Sequence, residues 1–138
     1  MKRILLLLPL FFLAFGLAHS QNAPYRVVFD LTSRDSLDQK AVTRVIREIT
    51  TSSPDAQIEV VMYGKGYELV MPEKSTQIEA VRHAQENPNV SFKVCRMAMK
   101  NNNIEMSQLA KGVQTVPDGV YEIISKQHEG WGYIKVSH

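Results

Sequence analysis

The sequence predicts a single α/β domain, a three-layer sandwich around a mostly parallel sheet of about five strands. Three observations predict it. Short β-branched and apolar runs alternate with amphipathic helical segments from residue 25 onward. One of those runs, residues 57–63, is apolar nearly throughout, as suits a strand covered on both faces. No linker or repeat interrupts the alternation, and the triplet Asn101-Asn102-Asn103 is its one low-complexity stretch.

Taken in order, residues 25–31 (Tyr-Arg-Val-Val-Phe-Asp-Leu) read as the first strand. Ser33 to Ser36 offer helix caps, with Gln39 three residues after Ser36. Leu37, Ala41, Val42, Val45, Ile46 and Ile49 then share one helical face, and Ser52-Ser53-Pro54-Asp55 ends the helix. The second strand covers residues 57–63, and Gly64-Lys65-Gly66 breaks it. Residues 67–71 form a short apolar piece before Pro72. A helix is expected over 74–86, with Ile78, Val81 and Ala84 inward and Asn87-Pro88 as its stop. Residues 90–95 are the third strand, and 96–100 begin a helix or tight turn. A short helix over 105–111 closes at Gly112, and a fourth strand follows over 113–116. Pro117 opens a helix running to His128, with Val120, Ile123, Ile124 and Gln127 on one side and Gly130 as its stop. Residues 131–136 are the last strand. Each crossover is expected to be right-handed.

Residues 1–20 are expected to lie outside this fold. Lys2 and Arg3 precede an apolar run over 4–17, and Ala18-His19-Ser20 supplies small residues ahead of a cut after Ser20. That is the pattern of a secretory signal peptide, which makes residues 21–138 the mature domain and its location periplasmic or secreted. A membrane anchor fits less well, because the run is shorter than the roughly 20 residues of a span and contains Pro9 and Gly16. The chain has 16 Lys and Arg against 14 Asp and Glu, and the leader accounts for the excess. The balanced domain gives no electrostatic reason to expect a nucleic acid or an anionic membrane as partner.

Cys95 is the only cysteine and has the clearest claim to chemistry. An exported domain with one thiol has no internal disulfide, so that thiol is buried and inert, paired with another molecule, or reactive. Its place where a strand gives way to a helical run favours a thiolate, and Arg96 and Lys100 add positive charge. Free cysteines also pack as small apolar side chains, and that reading stays open. Tyr63, Gly64, Lys65 and Arg96 are candidate lining for the crevice at the strand ends, while Gly64-Lys65-Gly66 reads first as a plain tight turn after a strand. Asp30 ends the first strand and either reaches that crevice or caps the next loop. His83, His128 and His138 have no metal-ligand spacing, and no dinucleotide fingerprint is present, so neither a metal nor a cofactor is expected. Met97, Met99 and Met106, and the alternating Trp131 and Tyr133, are read as packing or subunit-contact residues.

Three stretches resemble the DsrE/DsrF-like family, also called the YchN-like fold. One runs from Val90 through Cys95 to Asn101, and a second, more specific one runs from Gly112 through Pro117, Gln127 and Gly130 to Ile134. The third is Val61-Met62-Tyr63-Gly64-Lys65-Gly66, where Tyr63 stands at a position often held by histidine. The resemblance implies an α/β sandwich assembling as a homotrimer or homohexamer. In the family's sulfur-relay members a cysteine carries a persulfide to a partner protein, and Cys95 matches that kind of position. Those members are cytoplasmic, whereas this chain carries an export pattern. The resemblance therefore implies a sulfur or thiol carrier, with a possible donor or acceptor protein, more than a turnover enzyme. The alternatives are an oligomeric binding module for a small anionic ligand and a purely structural oligomer.

Overall fold

The computed structural model describes residues 23–137, so the expected signal peptide and its cleavage point lie outside the described residues. Five parallel strands form one sheet in the order β4-β3-β2-β1-β5. They are β1 (Arg26–Leu31), β2 (Gln57–Met62), β3 (Val90–Cys95), β4 (Gln114–Val116) and β5 (Gly132–Val136). The α-helices are α1 (Ser36–Ser52), α2 (Ile78–Ala84), α3 (Arg96–Asn101) and α4 (Gly119–His128). Two short 3₁₀ helices, Gly66–Val70 and Met106–Gln108, complete the elements of the described residues. The sandwich expected from the sequence is present, and the sheet is parallel throughout.

Strand alternation divides the sheet's side chains between two unlike faces. Val27, Phe29, Leu31, Ile58, Val60, Met62, Phe92 and Val94 point to one face. There they pack with Val42, Ile46 and Ile49 of α1, Val81 of α2, and Tyr67, Leu69 and Val70 of the first 3₁₀ helix. This is the main core. Gly66 lets that 3₁₀ helix lie against the end of β1, since a Cβ there would sit 2.0 Å from the Leu31 carbonyl oxygen. On the opposite face Val28, Val61 and Ile123 of α4 make a small second cluster, with Tyr63 and Trp131 packed against it. Charged residues occupy much of the rest of that face.

Several elements differ from expectation. The helix expected over 74–86 shortens to α2, because the Ser75 hydroxyl accepts from the Gln77 amide at 3.0 Å and holds a turn there. The helix expected over 105–111 is a single 3₁₀ turn, beyond which the Ala110 amide bonds to the Val70 carbonyl at 2.8 Å. Helix α1 is capped by Asp35, whose carboxylate accepts from the Leu37 amide at 2.7 Å. Leu37 itself is exposed, while Asp38, Gln39 and Thr43 are buried, so the inward face of α1 is rotated from the expected one. In α4 only Ile123 of the expected apolar side is buried, and Val120 and Ile124 face outward.

Candidate functional site

Cys95 ends β3 and serves as the N-cap residue of α3, with extended backbone angles of φ −66° and ψ 120°. Its side chain makes no capping hydrogen bond, so no side chain in that cap position satisfies the first-turn amides of α3. The thiol is free but only 5% exposed. Gly119, the first residue of α4, lies directly over it: a Cβ on Gly119 would be 3.1 Å from the Cys95 Cβ, 3.3 Å from Val61 and 3.5 Å from Tyr63. The amides at the start of α4 are already engaged, since Asp118 Oδ1 accepts from Val120 at 2.9 Å and Tyr121 at 3.2 Å. The strand end, the start of α3 and the start of α4 thus meet at the Cys95 side chain.

Tyr63 links this point to a polar constellation at the end of β1. Its hydroxyl lies 3.3 Å from Asp30 Oδ2, and the Tyr133 hydroxyl donates to the same oxygen at 2.7 Å. Lys135 Nζ donates to Asp30 Oδ1 at 3.0 Å and to Thr32 at 3.1 Å, and stands 5.6 Å from the centre of the Tyr63 ring. The hydrogen bond to Asp30 and, less, burial raise Tyr133 to about 12. Burial, then the Asp30 charge, raises Tyr63. Asp30 is 4% exposed, yet Tyr133 and Lys135 reach solvent.

A second ionic cluster lies under α4. Lys93 Nζ is 2.8 Å from Glu59 Oε2 and 2.8 Å from Glu122 Oε1, and Lys126 Nζ lies 3.8 Å from Glu59. Glu59 is 2% exposed, and its Oε1 has no hydrogen-bond partner among the described residues. Burial raises its carboxyl to about 7 against the pull of Lys93. Burial also opposes ionisation of Glu122, but the hydrogen bond from Lys93 prevails and lowers it. Lys126 stands 4.9 Å over the Trp131 ring, which ties the end of α4 to the entry of β5.

Of the residues expected to line a crevice, Tyr63 alone is drawn to Cys95, through Gly119. Gly64 sits in a turn with φ +56°. Lys65 reaches across to Asn102 at 2.5 Å, at the end of α3. Arg96 is exposed and borders a hollow of about 240 Å³ with Met99, Lys100, Ile104, Met106 and Thr115. Met97 and Met106 are exposed, while Met99 is buried. Among the described residues no cluster of His, Cys, Asp and Glu is arranged to hold a metal ion. The sequence reading missed Glu59, Lys93, Glu122, Lys126, Tyr133 and Lys135 as polar partners. The signal for two of them was present: Glu59 between Ile58 and Val60, and Lys93 between Phe92 and Val94, are charges inside otherwise apolar strands.

An all-parallel five-stranded sheet, with its one thiol at a strand end and flanked by two helix starts, defines a class of small α/β proteins. The sequence profile of the DsrE/DsrF-like family matches residues 26–136, and this chain belongs to that family. A solved structure described as a protein of unknown function, MTH1491 from Methanobacterium thermoautotrophicum, is similar to it. The two share 28% identity and a TM-score of 0.75, over 80% of this chain and 98% of that one. No protein with a curated description matches this chain.

Proposed function

We propose that the protein is an exported sulfur or thiol carrier that works through Cys95 as a homotrimer or homohexamer. Family membership supports a sulfur-related role. The observation that carries the finer reading is the position of Cys95: it caps α3 with no side-chain acceptor in place and lies against the first residue of α4. An anionic sulfur at a helix N-cap is placed to accept from first-turn amides, a bond the Cys95 side chain does not make in this structure. In loading, the Cys95 thiolate attacks the outer sulfur of a donor persulfide, the donor S–S bond breaks, and the donor departs as a thiolate. The exchange has no net oxidation. Because Cys95 is 5% exposed, the six-residue α3 must lift from the strand end for a donor to reach it. Helix α3 is short and carries the exposed Arg96, Met97 and Lys100, and lifting it uncovers only Ala98 and Met99 of the core.

Assembly is supported by exposed apolar side chains on neighbouring elements, Val120, Tyr121 and Ile124 of α4 and Tyr133 and Ile134 of the edge strand β5. Export is supported by Lys2, Arg3 and the apolar run before Ser20, and the protein recovered from the cell envelope is expected to begin at Gln21.

Intact-mass measurement after incubation with glutathione persulfide tests the carrier reading. The expected result is a gain of one sulfur atom that Cys95→Ser abolishes while remaining folded and assembled. Gly119→Ala, which crowds Cys95, is expected to slow loading. A second reading, a binding module for a small anion, rests on the constellation of Asp30, Tyr63, Tyr133 and Lys135 beside a buried thiol. It replaces the first if the native protein refuses both sulfur and alkylating agents while the unfolded chain accepts them.

A further inference from the structure

We propose that the groove between α1 and α2, on the other side of the sheet from α4, binds a small organic anion with a hydrocarbon body. The groove encloses about 550 Å³, within the range of small-molecule sites. It exists because α2 presents alanines, Ala80 and Ala84, where longer side chains would close against α1. Ile46, 1% exposed, joins them in an apolar floor. At one end the Thr43 hydroxyl lies 3.1 Å from Gln77 Oε1 and draws the two helices together.

The walls carry the opposite chemistry. Lys40, Arg44 and Arg47 recur at i, i+4 and i+7, a single stripe along α1. Arg44 is paired with Glu48 at 2.9 Å, and His83 across the groove is paired with Glu86 at 3.0 Å. The ion pairs of the described residues leave Lys40 and Arg47 with no carboxylate. Unpaired cations over an apolar floor complement a ligand that has both a charge and a hydrocarbon part. A bare inorganic anion leaves Ala80 and Ala84 uncovered, and a neutral hydrocarbon leaves the cations unmatched. None of the lining residues belongs to the Cys95, Asp30 or Glu59 surroundings, so this site is independent of the sulfur-carrier reading.

Titration of the purified protein with octanoate, followed by amide NMR shifts, tests the site. The expected shifts fall on Thr43, Arg47, Thr50, Ala80 and Ala84, with octanoate binding at least about tenfold more tightly than 1-octanol. The double variant K40E/R47E is expected to lose about tenfold or more in octanoate affinity with an unchanged melting curve. Ala84→Leu fills the groove without altering charge and is expected to abolish binding. The proposal is overturned if the shifts centre on the apolar face of α4 and β5, or if K40E/R47E binds octanoate as well as the parent. It is also overturned if a second copy of the chain already occupies the groove in the free protein, detected as intermolecular contacts to Ala80 and Ala84.

Discussion

The face of the sheet under α1 and α2 and the face under α4 are built from the same three central strands, yet they bury different chemistry. Toward α1, β1, β2 and β3 contribute Val, Phe, Leu, Ile and Met, each nearly or wholly shielded from solvent. Toward α4, the same strands contribute Val28 and Asp30, Glu59 and Val61, and Ser91 and Lys93. The first face gains free energy with each side chain it covers, roughly 1.5–3 kcal/mol for a large aliphatic or aromatic one. The second must offset the desolvation of its charges with close pairing, which adds little net stability. The difference teaches that one face holds the fold and the other is free to hold chemistry and contacts, and Cys95 sits at the rim of the second.

The largest effect separating the faces is expected in the core. Phe92→Ala, at 1% exposure, should cost about 4 kcal/mol in urea unfolding, whereas Ile123→Ala under α4 should cost about 2 kcal/mol. Equal losses would dissolve the distinction.

The second test is pH. Folded Glu59 holds its proton up to about 7, against an ordinary value of 4.5, so the folded state binds more protons in that window. Its contribution to stability is full below pH 4.5 and is lost as pH rises toward 7, a decline on the order of 3 kcal/mol. Glu122 is lowered and acts below that window, and Lys93 and Tyr133 are raised and act above it. Glu59→Gln should flatten the decline, as read from unfolding midpoints across the range. A parent protein with no slope there would show that Glu59 is ionised when folded.

A smaller change is expected at Asp30. Asp30→Asn should cost about 1 kcal/mol and return Tyr133 from about 12 toward its ordinary 10, followed by phenolate absorbance. Unchanged titration would separate Tyr133 from Asp30. Smallest in subunit stability, and most informative about assembly, is Ile134→Glu at 39% exposure. It should shift unfolding by less than about 0.5 kcal/mol while converting the proposed homo-oligomer to monomers in light scattering. Persistence of that oligomer would move the proposed interface away from β5.

Much of the fold was legible from periodicity. β3 runs over the residues expected, and α1, β2, α4 and β5 differ at their ends by a few residues. Misreadings occurred where local hydrogen bonds or distant backbone competed with the helix, at Ser75 and at Ala110. Cys95 was legible as a strand-end thiol. Its cover was not, because Gly119 lies far along the chain and reaches Cys95 only when β3 and α4 stack.

The sequence by itself determined the alternation of strands and helices, the deep apolar runs that require a twice-covered sheet, and the solitary thiol at a strand end. These depend on neighbours within a few residues, where side-chain period and cap chemistry act. Only the tertiary structure decided which charges meet. Lys93 and Glu122 are 29 residues apart, and Asp30 lies 103 residues from Tyr133 and 105 from Lys135. Such pairs form when parallel pairing sets β1 beside β5 and α4 crosses the strands, and a linear pattern carries no record of that register. The phase of α1 was settled in the same way: its inward face is whichever one the sheet and α2 leave dry.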